Sequence, residues 1–83
     1  MNVSLFPVPM SALVPGERAT VRGIAVSGDM RRRLQDIGLI RGTQIECVGR
    51  SPLGDPTAFR IRGAVIALRR TDTAQIQVER SWD

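Results

Sequence analysis

The chain has 83 residues, 42% of them apolar and 24% charged, with a formal charge of +4 and one cysteine. That length holds one domain with a modest core, and a lone Cys47 excludes an internal disulfide. All 12 basic residues are arginine and histidine is absent, which removes the usual general base and the commonest metal ligand.

Met1–Ala12 carries no basic residue and is interrupted by Pro7 and Pro9, so it lacks the features of a secretory leader. No stretch approaches the ~20 apolar residues of a membrane span. The expected location is cytoplasmic. Val14-Pro15-Gly16-Glu17 is a turn signature. A first strand follows over Arg18–Val26, with Gly23 breaking the alternation as a bulge does. A short helix comes next, capped by Ser27 or Asp29. Met30, Leu34 and Ile37 recur along it at i, i+4 and i+7, and Gly38 takes the left-handed position after its end. Asp29 and Arg33 are spaced to pair on its surface.

Thr43–Arg50 reads as a second strand, with Ile45 and Cys47 on the inner face. The cluster Ser51-Pro-Leu-Gly-Asp-Pro56 is a loop. Thr57–Arg62 and Ala64–Leu68 form a hairpin closing near Gly63, with Phe59 and Ile61 inward and Arg60 and Arg62 outward. Arg70–Thr73 reads as a tight turn. Ala74–Glu79 alternates most cleanly, with Ala74, Ile76 and Val78 inward. About five short strands and one short α-helix between the first and second of them describe a mainly β fold. The expected architecture is a small, strongly bent barrel in which one sheet closes on itself.

Chemistry is sparsely provided for. Nucleophile systems that depend on histidine are excluded, the acids are scattered, and no phosphate-cradling P-loop is present. The chain is therefore expected to be no enzyme and to need no cofactor or small-molecule substrate. Cys47 reads as a small buried hydrophobe, and no residue set is assigned to a metal. Asp55 would be the first residue to test if one bound. Outward arginines at Arg60, Arg62, Arg69 and Arg70 offer a basic strip to phosphates. The aromatic platforms of single-strand binders are missing, however, so nucleic acid is a secondary reading. Leu53 stands at the tip of the 51–56 loop, where an exposed apolar side chain is suited to docking.

Four segments together resemble the FeoA family of ferrous iron transport proteins. They are Leu13-Val-Pro-Gly-Glu-Arg-Ala-Thr-Val21, Arg32-Arg-Leu-Gln-Asp-Ile-Gly-Leu39 with Gly42-Thr-Gln-Ile45, Ser51-Pro-Leu-Gly-Asp-Pro56, and Ile66-Ala-Leu-Arg-Arg70 with Ala74-Gln-Ile-Gln-Val78. Arg41 stands where the family often has proline. The resemblance implies an SH3-like barrel over residues 12–79, with an N-terminal extension at 1–11 and a C-terminal tail at 80–83. It also implies a non-enzymatic, cytosolic accessory of iron uptake. Such an accessory acts through protein–protein interaction with the cytosolic part of the membrane permease FeoB and does not itself span the membrane. The alternatives are a small basic barrel binding nucleic acid and a regulatory domain like the C-terminal domain of DtxR-type metal-dependent repressors. A partner surface is expected at Pro52, Leu53 and Gly54 together with Arg32, Arg60 and Arg62, an apolar anchor rimmed by arginine.

Overall fold

A computed structural model describes residues 2–3 and 6–82. Met1, Ser4 and Leu5 of the 1–11 segment, and Asp83 of the 80–83 segment, lie outside the described residues. The strands are β1 (Asn2–Val3), β2 (Val8–Pro9), β3 (Arg18–Ile24), β4 (Gln44–Arg50), β5 (Thr57–Ile61), β6 (Ala64–Leu68) and β7 (Ile76–Trp82). Helix α1 (Gly28–Asp36) joins β3 to β4, and the single turn α2 (Arg70–Thr73) joins β6 to β7. A short 3-10 helix occupies Met10–Ala12.

Alternation decides which side chains are buried. Ala19 and Val21 on β3, Ile45 and Cys47 on β4, Phe59 and Ile61 on β5, and Ile76 and Val78 on β7 are all buried. Their neighbours Arg18, Arg22, Gln44, Arg60 and Gln77 are exposed. The β3–β7 register shifts between Val21 and Gly23, so the bulge signalled by Gly23 is present. A second shift, between Cys47 and Gly49, lies in the β4–β5 ladder. Each bulge adds local twist and bends its strand.

Helix α1 starts after Ser27, whose extended backbone occupies the cap position without a side-chain bond, and Asp29 lies in the first turn. Leu34 is buried, while Met30 and Ile37 pack partly buried against the core. The helix ends where Gly38 adopts φ +86°. Gly38 N–H donates to Gln35 O (3.0 Å) and Leu39 N–H to Leu34 O (2.8 Å). These are the two bonds of a Schellman ending, and glycine takes its left-handed position without Cβ strain.

The strands form one antiparallel sheet in the order β1-β7-β3-β4-β5-β6, with β2 pairing to β7 off this path. The expected closed, SH3-like barrel of about five strands is corrected by this order: no pairing joins β6 to β1 or β7 among the described residues. The physical cause is the connection after β6. Instead of a tight turn at Arg70–Thr73, α2 forms, and the chain returns as β7 between β3 and β1. Strand β6 is therefore an open edge. The expected single helix becomes two.

Candidate functional site

The loop between β4 and β5 is fastened at its base and bare at its tip. Ser51 N–H donates to Pro56 O (3.1 Å), and Gly54 N–H donates to Ser51 O (2.8 Å). Asp55 Oδ1 accepts the backbone N–H of Arg70 (2.9 Å), satisfying a free donor at the start of α2. Asp55 is thus engaged in holding the loop to the second helical turn. The loop extends Leu53 into solvent at 95% exposure, with Pro52 also exposed and Gly54 half-buried.

The arginines expected around this tip are dispersed. Arg32 is exposed on α1 and makes no ion pair or side-chain hydrogen bond among the described residues. Arg60 Nε lies 3.7 Å from Glu46 Oε1, both side chains being well exposed. An ion pair of that exposure contributes at most about 1 kcal/mol, so a partner can displace it cheaply. Arg62 follows β5 at φ +49° and donates from Nε to Gly38 O (3.1 Å), tying the β5–β6 turn to the end of α1. Leu53 and Arg62 stand beyond opposite ends of β5, a strand of five residues spanning roughly 17 Å.

Arg60 and Arg62 do come together with Arg18, a residue outside the expected partner surface. All three line an open groove of about 300 Å³ on the outer face of the sheet. The register explains it. Arg18 is paired with Glu46, and Glu46 with Arg60, so the three side chains form one cross-strand row with the acid in the middle. The signal available in the sequence was the outward parity of Arg18 on its strand. The expected strip of Arg60, Arg62, Arg69 and Arg70 is split, because Arg69 lines a different groove, beside α1.

Cys47 is fully buried. Burial pushes its thiol up from the usual value, with the Arg50 charge pulling the other way, so the thiolate needed of a nucleophile or ligand is disfavoured. No group of three or more His, Cys, Asp or Glu side chains that could hold a metal ion occurs among the described residues. No helix among them is long and apolar enough to cross a membrane.

The family model described as the FeoA domain matches residues 8–80. A curated relative is the Fe(2+) transport protein A/Fe(2+) transporter FeoB fusion protein of Porphyromonas gingivalis. It is 36% identical over 70 residues, covering 84% of this chain and 8% of that protein, so the chain spans a small fraction of that relative's length. Among solved structures, the NMR structure of a FeoA-like protein from Clostridium acetobutylicum is 32% identical with a TM-score of 0.83, covering 93% of this chain and 90% of that one. The FeoA protein from Chlorobium tepidum is 37% identical with a TM-score of 0.81, covering 86% and 68% of the two chains. With nearly its whole length matched by the family and its backbone shared with solved members, the chain belongs to the FeoA family, a ferrous-iron transport accessory domain.

Proposed function

We propose that this protein is a non-enzymatic, cytoplasmic accessory of ferrous iron uptake that acts by binding the cytosolic part of the permease FeoB. The observation that carries the reading is the Porphyromonas gingivalis relative, in which a domain 36% identical to this chain is joined to the transporter in one polypeptide. Covalent joining supplies an effective concentration on the order of millimolar when the linker spans the two sites. A domain that works on its permease through such a tether works through a surface, and this chain retains the same domain over 84% of its length.

The docking surface in this reading is the Pro52-Leu53-Gly54 tip, supported by the near-complete exposure of Leu53. Arg32, Arg60 and Arg62 act at longer range, steering association with an acidic surface. Arg32 is the most available of the three, since Arg60 is shared with Glu46 and Arg62 with Gly38. Co-elution of the protein with detergent-solubilised FeoB on a sizing column tests the reading. Co-elution that added salt weakens is expected. Separate elution at micromolar concentrations of both proteins overturns it.

A further inference from the structure

Strand β6 reads Ala-Val-Ile-Ala-Leu, without a charge, a proline or a bulge, and among the described residues it hydrogen-bonds only to β5. Natural edge strands are ordinarily blunted by one of those devices, because free N–H and C=O groups are a template for another chain. The β5–β6 turn identifies the free groups. Arg62 and Gly63 both have positive φ (49° and 84°), the conformation of a two-residue type I′ hairpin loop. Ile61 and Ala64 flanking it are then the first hydrogen-bonded pair, and such pairs alternate along an antiparallel ladder. Phe59–Ile66 and Thr57–Leu68 continue the series. Val65 and Ala67 therefore turn their N–H and C=O groups to the open edge. Among the described residues none of these groups has a partner.

Alongside that edge, a groove of about 210 Å³ runs between β6 and α1. Met30, Ile37, Ile66 and Leu68 supply its apolar lining, and Arg33 and Arg69 line it as exposed cations. Neither guanidinium makes an ion pair or hydrogen bond among the described residues. Asp72 is the acid of the lining, leaving the groove with an excess of positive charge.

We propose that β6 accepts an added strand: an extended segment of a partner protein, apolar at alternate positions and acidic at its ends. Backbone bonds to Val65 and Ala67 would hold the segment in register. Its inward side chains would lie along the groove, and its terminal carboxylates would meet Arg33 and Arg69. A second copy of this chain is the less suited occupant. A second β6 is flanked by Arg62 and Arg69 rather than by acids, so it brings no carboxylate to the cationic groove, and each molecule carries +4. The proposal goes beyond the permease reading and stands without it.

The test is a titration of the nitrogen-15-labelled protein with a synthetic peptide carrying valine at alternate positions, threonine between them and glutamate at both ends. Saturable binding is expected, with amide exchange at Val65 and Ala67 slowed about tenfold or more. A lysine-ended version of the peptide is expected to bind about tenfold more weakly at low salt. Ala67→Pro removes one edge-facing N–H while sparing the bonds to β5 and is expected to abolish the slowing at Val65. Should that variant not fold, the double change Arg33→Glu and Arg69→Glu is expected to reverse the preference between the glutamate-ended and lysine-ended peptides. Absence of binding, equal affinity for the two peptides, or binding without slowing at Val65 and Ala67 overturns the proposal. Slowing that depends on protein concentration without peptide also overturns it, by making a second copy the occupant.

Discussion

At the residue scale, Gly38 shows how far a local signal reaches. Its place after the apolar stripe Met30, Leu34 and Ile37 marks it as a helix ending, and it adopts the left-handed φ that ending requires. What the sequence cannot carry is the side chain lying over it. Arg62 is 24 residues away, and a Cβ on Gly38 would come within 2.5 Å of Arg62 Cδ. Gly38→Ala is therefore predicted to lose about 1–2 kcal/mol from left-handed backbone strain alone, and more from the crowding. In an Arg62→Ala background the cost of the same change should shrink, as urea unfolding of the four proteins would show. Equal costs in both backgrounds would mean that Arg62 moves aside freely.

Cys47 gives a second residue-level expectation, in pH. Its thiol stays protonated in the folded core to higher pH than in the unfolded chain. Below about pH 8.5, the ordinary cysteine value, the thiol is protonated in both states and pH has no effect through it. Above that value the unfolded chain ionises first, which favours unfolding, so stability declines as pH rises further. Cys47→Ala is predicted to flatten this alkaline decline in thermal melts between pH 7 and 10. An identical decline in both proteins would assign it to other groups.

At the element scale, period-two alternation located β3, β4, β5, β6 and β7, and the buried faces follow it except at Ala74. That residue, expected inward on the last strand, is exposed at the end of α2, because β7 begins only at Ile76. Ile76 is completely buried on β7, whereas its neighbour Gln77 is exposed. Ile76→Asp buries an unpaired carboxylate and is predicted to cost about 3 kcal/mol or more, enough to unfold a small domain. Gln77→Asp should stay within roughly 0.5 kcal/mol. Similar melting temperatures for the two variants would contradict the register. The elements that escaped the sequence are those whose formation depends on distant partners. Residues Val8 and Pro9 are extended because Val78 and Gln77 lie beside them, and Arg70–Thr73 winds into a turn of helix because Asp55 accepts its first N–H. Neither arrangement has a local periodic signature.

At the scale of the whole molecule, alternation states which face a side chain takes but not which strands become neighbours, so a closed barrel and an open sheet look alike in sequence. The open edge at β6, and the row Arg18–Glu46–Arg60, are products of strand order and register. The Leu53 tip was legible because a loop dense in proline and glycine must leave the ladder. Its separation from Arg62 was not, since that depends on the direction of β5. Leu53→Ser is predicted to leave the melting temperature unchanged, because the side chain is 95% exposed. A drop of several degrees would mean that the loop packs inward.

The central claim, that this domain works by binding the permease, is tested most directly by equilibrium titration of fluorescently labelled protein with FeoB in lipid nanodiscs, with Leu53→Ser as the paired variant. The account predicts saturable one-to-one binding that weakens with salt, and a loss of about tenfold in affinity, near 1.4 kcal/mol, for Leu53→Ser. No saturable binding by the wild-type protein at any permease concentration reached would contradict it.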